Sequence, residues 1–184
     1  MATKTTQDSN QFEIDVSRIR DQARKHMEDG AVTDGNTIDV KRLIEVLNEV
    51  VATEIVCYLR YTRHFYAASG LSAGAVAAEF LEHAGQELDH ANRIAARITQ
   101  LQGLPDFNPD VLTARSHAEY VEGHDLLDMV REDLVAERIA IASYTEIAQW
   151  LGDKDPTTRN LMESILAVEE EHADDLLSIL QEMT

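Results

Sequence analysis

One acidic pattern occurs twice in this chain, and it restricts the fold more than any other feature. Glu54, inside Ala-Thr-Glu-Ile-Val-Cys, is followed 33 positions later by Glu87-Leu-Asp-His90. Glu137, inside Leu-Val-Ala-Glu-Arg-Ile-Ala, is followed 32 positions later by Glu169-Glu-Glu-His172. Residues three apart on a helix share a face, so each Glu–His pair can reach one point. A Glu within an apolar helical stretch points into the core, where a carboxylate without a partner is costly. Two such units fit a fold in which helices bring four Glu and two His to one buried place and supply cations there. The competing reading is a helical bundle with Glu–His pairs on its surface and no metal.

The rest of the sequence supplies the helices. Between Thr37 and about Ala68, the residues Leu43, Ile44, Leu47, Val50, Val51, Glu54, Cys57, Tyr58 and Tyr61 recur at three- and four-residue steps, the mark of one buried face. Ser69 to Gly74 interrupts the pattern. An Ala-rich helix is expected from about Ala75 to Gln102, closed by Gly103 and Pro105. Residues 103–117, with Pro105, Asn108 and Pro109, read as a long connection. A third helix is expected from about Ala118 to Leu151. Gly152 to Pro156 is a tight turn, with Asp155 as N-cap and Pro156 at the first helical position of a fourth. Helices of roughly 28 residues would each run about 42 Å. Short links within each pair and one long crossover between pairs predict an all-α four-helix bundle of two hairpins laid together.

Residues 1–38 are read as an N-terminal extension and 39–184 as the bundle. The first eleven residues are polar and expected to be disordered. Phe12, Val16, Ile19, Ala23 and Met27 then fall on one face of a short amphipathic helix ended by Gly30, suited to pack on its own bundle or on a neighbouring subunit. Its Arg18, Arg20, Arg24 and Lys25 are offset by Glu13, Asp15, Asp21, Glu28 and Asp29, which excludes a basic DNA-binding arm.

Composition narrows the function classes. The net charge of −18 repels phosphate backbones and argues against nucleic acid as a partner. No apolar run approaches the ~20 residues that span a bilayer, and the polar start carries no secretory signal, so a cytoplasmic location is expected. The lone Cys57 rules out an internal disulfide or a multi-cysteine zinc or iron–sulfur site.

At the repeated motif, carboxylate oxygens with one imidazole per metal suit iron or manganese better than structural zinc. Glu87 and Glu169 are expected to bridge two metals, with Glu54 and His90 completing one shell and Glu137 and His172 the other. Tyr61 and Tyr144, each seven residues after its Glu, extend the internal symmetry and are expected in the core near the site. His26, His64, His83, His117 and His124 lack a Glu three positions before them and read as surface or packing residues. His83, one turn before Glu87, has a second reading as an outer ligand on the path of iron.

Residues 39–183 resemble the bacterioferritin branch of the ferritin superfamily. The resemblance rests on Glu87-Leu-Asp-His-Ala-Asn-Arg-Ile through Gln-Gly-Leu-Pro105, on Asp133-Leu-Val-Ala-Glu137 and on Val-Glu169-Glu-Glu-His172. It implies a ferroxidase centre of Glu54, Glu87, His90, Glu137, Glu169 and His172 holding two irons per subunit. It also implies a cage in which ferrous iron is oxidised by dioxygen or hydrogen peroxide and kept as ferric mineral. Leu88 stands where haem-binding members carry Met, which argues against haem. The sequence ends with the fourth helix and has a helical N-terminal extension, and both traits resemble twelve-subunit Dps-like cages more than 24-subunit ferritins. Rival readings are a non-cage di-metal enzyme of the rubrerythrin-like peroxidase or manganese catalase type, and a DNA-protecting Dps-type protein. Rubrerythrin's cysteine-rich module cannot be built from one cysteine.

Overall fold

Residues 13–70 and 73–184 are described by a computed structural model, in which six α-helices and no strand occur. Helix α1 spans Val16–Lys25, α2 Val40–Ala67, α3 Ala73–Gln100, α4 Leu112–Arg115, α5 Leu126–Leu151 and α6 Pro156–Glu182. The helix starts are set by side-chain caps: Asp39 accepts from the Arg42 N–H, Asp125 from Asp128 and Asp155 from Thr158. Pro156 occupies the first turn of α6, where its missing N–H costs nothing.

The direction of each long helix follows from two apolar clusters. The first joins Leu43, Leu47 and Val50 of α2 to Ile94 and Ile98 of α3, Tyr144 and Leu151 of α5, and Met162 and Ile165 of α6. The second joins Tyr61 of α2 to Val76 and Phe80 of α3, Met129 and Val130 of α5, and Leu176 of α6. The starts of α2 and α6 therefore share one end of the bundle with the finishes of α3 and α5. Both hairpins, α2–α3 and α5–α6, are antiparallel, and the connection between them must travel the whole length of the bundle.

That crossover, residues 101–125, is held to α2 rung by rung. Asn48 donates to the Leu104 carbonyl and accepts from the Asp106 N–H, and Thr53 accepts from the His117 N–H. Farther along, Arg60 donates to the Glu119 carbonyl, and His64 Nε2 lies 3.2 Å from the Val121 oxygen. Leu112 of α4 packs beside Ala52 and Val56. Glycines mark the two bends: a Cβ on Gly103 would meet Ile44 at 2.9 Å, and Gly123 takes φ +67. This anchoring corrects the expected start of the third long helix, which is Leu126 rather than Ala118. The carbonyls of Glu119, Val121 and Glu122 are taken by Arg60, Arg63 and His64 of α2 and are not free to start a helical ladder.

Two buried ion pairs tie the hairpins together. Arg60 donates to Asp133 Oδ1 at 2.7 Å while His64 Nδ1 lies 2.8 Å from Oδ2, so α2 and α5 share one carboxylate. His64, expected at the surface or in packing, is fully buried in this triad. At the other end Arg97 reaches both Asp155 oxygens and Thr158, locking α3 to the cap of α6.

Helix α1 has no buried residue and stops at Lys25, short of the expected Gly30; Val16 and Ile19 of its apolar face are exposed, as is Met27 in the turn that follows. A groove of about 450 Å³ beneath it is lined by Ile19, Ala23, Met27 and Val32. Phe12, assigned to the same face, lies outside the described residues. Among those residues no helix is long and apolar enough to cross a membrane.

Asp133→Ala leaves the Arg60 guanidinium buried without its counter-charge. It is expected to destabilise the chain by about 3–5 kcal/mol, read as a lowered midpoint in denaturant unfolding.

Candidate metal centre

Between the two apolar clusters the four long helices turn six polar side chains inward. Glu54 comes from α2, Glu87 and His90 from α3, Glu137 from α5, and Glu169 and His172 from α6; each is 1–2% exposed. The structure thus brings all six sequence-selected residues to one place. They form two overlapping groups, Glu54–Glu87–His90–Glu169 and Glu87–Glu137–Glu169–His172, in each of which the ligand atoms lie within 4.8 Å of one another. Glu87 and Glu169 belong to both groups, the position a bridging carboxylate must take.

Direct contacts inside the cluster are close but poorly aligned for hydrogen bonding. His90 Nδ1 is 2.9 Å from Glu169 Oε1 and 3.3 Å from Glu54 Oε2. His172 Nδ1 is 3.2 Å from Glu169 Oε2 and 3.4 Å from Glu87 Oε1. Among the described residues, nine buried side-chain nitrogen or oxygen atoms lack a hydrogen-bond partner, and seven of them sit on these six residues. Orphaned ligand atoms converging in this number fit metal ions, because among the described residues these atoms have no hydrogen-bond partner.

Outer contacts orient the ligands. The Tyr61 hydroxyl donates to Glu137 Oε1 and the Tyr144 hydroxyl to Glu54 Oε1, so each tyrosine of one hairpin fixes the terminal carboxylate of the other. His172 Nε2 lies 2.6 Å from Gln86 Oε1; a donated Nε2–H leaves Nδ1 as the lone-pair atom facing the cluster. Gln86 carried no sequence signal. Its counterpart in the repeat is Val168, so the internal symmetry points away from it.

Electrostatics without metal favour bound protons. Burial, then repulsion from Glu169, pushes Glu87 well above the carboxylate range, and Glu137 is raised by the same two causes. Burial and the neighbouring Glu54 raise Glu169 to about 7. For His90, burial opposes the charged ring, but Glu169 and Glu54 outweigh it and lift His90 to about 10. Glu54 goes the other way: burial raises it, yet His90 and Glu87 beside it hold it below its usual value. Cys57 is buried next to the site, and burial drives its thiol up, which suits an inert packing residue.

Comparison with known proteins agrees with this architecture. Residues 44–184 match the family model for the ferritin-like domain. The chain belongs to the ferritin-like family. It is 34% identical over 139 residues to the "DNA protection during starvation protein" of Pyrococcus furiosus, covering 73% of this chain and 75% of that one. Against the bacterioferritin of Rhodobacter capsulatus the identity is 28% over 137 residues, 73% and 80% of the two chains. Among solved structures it is similar to a dodecameric thioferritin, a bacterioferritin-related protein from Bacteroides fragilis. There the TM-score is 0.76 and the identity 35%, over 79% of this chain and 88% of that one. Dps from Thermosynechococcus elongatus shares the fold, with a TM-score of 0.73 at 18% identity over 76% and 90% of the chains.

The raised groups set a pH dependence. The metal-free folded chain holds more protons at Glu87, Glu137, Glu169 and His90 than the unfolded chain, so stability falls as pH rises. The His90 share is complete below the ordinary value of 6.5 and is lost as pH climbs through about 10. Thermal unfolding of metal-stripped protein should therefore move to lower temperature between pH 7 and 10, and added divalent metal should suppress the shift. Gln86→Ala should weaken divalent-metal binding by about 10–100-fold, measured by competition with a chromogenic chelator.

Proposed function

We propose that this chain is an iron-storage and detoxification protein. It oxidises ferrous iron with dioxygen or hydrogen peroxide at a two-metal centre inside each subunit and keeps the ferric product within a homo-oligomeric cage. The supporting observation is the convergence of seven orphaned ligand atoms on six residues between two buried apolar clusters. Glu54 and His90 would hold one ferrous ion and Glu137 and His172 the other, with Glu87 and Glu169 shared.

Ferrous iron is the substrate here, and a pair of ions supplies two electrons to one oxidant without releasing a one-electron radical. The protein's own groups prepare that event. Glu87, Glu137, Glu169 and His90 give up their protons as the cations arrive, so loading releases protons and strengthens with rising pH. Tyr61 and Tyr144 keep one oxygen of Glu137 and of Glu54 occupied and leave the second oxygen for metal. Gln86 fixes the His172 ring with Nδ1 inward. Phe80, Leu176, Leu47 and Ile165 on either side keep bulk water out.

We favour a twelve-subunit cage, on the strength of the similarity to a dodecameric relative. Leu88, in the position where haem-binding members carry Met, gives no axial haem ligand. A second reading, protection of DNA, draws on the relative from Pyrococcus furiosus that is named for it. With a net charge of −18, such protection would come from removing iron and peroxide rather than from coating the nucleic acid.

Glu87→Ala or Glu169→Ala is expected to reduce ferrous oxidation, followed by ferric absorbance under dioxygen or peroxide, to the rate of buffer while the particle mass stays that of the parent. Oxidation at the parental rate in both variants would refute the assignment.

A further inference from the structure

One turn before Glu87 on α3, His83 lies outside the six-residue centre, yet it is 1% exposed and its surroundings are those of a ligand. Its ring stacks on that of His172, centroids 3.9 Å apart and planes 21° from parallel. Its Nδ1 is 3.3 Å from the Tyr61 oxygen. Its Nε2 is 3.2 Å from Glu79 Oε1 and 3.8 Å from Asp175 Oδ2.

The geometry around the ring sets what it can meet. Nδ1 lies against the Tyr61 hydroxyl, and Nε2 points the other way, toward Glu79 and Asp175. Among the described residues neither carboxylate has an ion-pair partner other than His83, so no lysine or arginine offsets their charge. A buried imidazole and two carboxylates so placed present three ligand atoms to one point, and a divalent ion there balances the two acids. Its placement beside the two-metal centre builds on the function proposed above.

We propose that Glu79, His83 and Asp175 form a third divalent-metal site, outside the two-metal centre and against its His172 side. One imidazole and two carboxylates suit a first-row divalent ion, ferrous iron among them. The ligand atoms lie within 4.8 Å of one another, as a single ion requires. The site opens outward, since the Glu79 side chain is 32% and the Asp175 side chain 55% exposed while His83 is closed off. Glu79, His83 and Glu87 follow at four-residue steps on one face of α3, so the three form a ladder from solvent to the buried centre. An ion here is separated from the centre by little more than the stacked pair of rings, the location of a waiting or transfer position for the incoming metal.

The test is Co²⁺ binding to the full chain, located by anomalous scattering at the cobalt edge and counted by calorimetry. The expected result is a peak between Glu79, His83 and Asp175 in addition to those at the centre. His83→Ala should remove that peak alone, and the calorimetric count should fall by one ion per chain. Asp175→Asn, at an exposed position that leaves packing intact, should weaken the same ion by about tenfold or more. A loaded centre with no peak at this triad, or a peak that survives His83→Ala, would overturn the site. Each position is read separately in one map, so a peak at the triad beside an empty centre would count against the two-metal reading and not against this one.

Discussion

Mutual repulsion among four buried carboxylates is the constraint around which this bundle is arranged. Glu54, Glu87, Glu137 and Glu169 occupy the middle of the four long helices, where packing alone would place Leu or Ala. Without metal three of them are tolerated by holding protons, as the raised Glu87, Glu137 and Glu169 describe, and the ionised Glu54 is balanced by the charged His90. The same displacement that destabilises the empty protein makes it ready for cations, because the repulsion relieved on loading adds to the binding energy. Stability of the bundle and occupancy of its centre are therefore two readings of one electrostatic balance.

Such a centre needs helices that do not slide, and the polar ties lie at the levels where slippage would otherwise occur. Arg60, His64 and Asp133 clamp α2 to α5 beyond one side of the centre, and Arg97, Asp155 and Thr158 clamp α3 to α6 at the far end. These are buried charges whose partners are supplied by another helix, so their value lies in fixing register more than in net stabilisation. The tyrosines work at finer scale: each crosses from its own hairpin to hold the outer oxygen of the other hairpin's Glu. A displacement of one hairpin against the other would strain both bonds together.

The long helices and the six inward side chains were legible because each leaves a local, periodic trace: apolar residues at helical steps, and one spacing used twice. What escaped has no periodicity. The crossover follows Asn48, Thr53, Arg60 and His64, whose side chains give no sign in sequence of which distant backbone they will bond. Residues 118–125 read as helix although Gly123 and the N-cap Asp125 lie among them, and the claim of α2 on the carbonyls of Glu119, Val121 and Glu122 keeps the segment before them out of a helical ladder. Gln86 was invisible for the opposite reason, since a search guided by the repeat discards whatever occurs in one half alone.

That departure from symmetry bears on how the two halves of the centre differ. Around His172 the chain has placed Gln86, His83 and Tyr61, a polar sequence that ends at the exposed carboxylates of Glu79 and Asp175. On the His90 side the corresponding position is Val168, and the nearby residues Val50, Ile94 and Ile165 belong to the larger apolar cluster. An exact repeat would make the two halves equivalent; in this chain one half leads through polar side chains to exposed carboxylates and the other is enclosed by hydrocarbon. In the proposed centre, metal arriving by the polar side would meet His172, Glu137 and the shared carboxylates before Glu54 and His90. Glu87 and Glu169, which belong to both ligand groups, would then have to pass an ion between the halves, and they are the two glutamates to which neither Tyr61 nor Tyr144 donates.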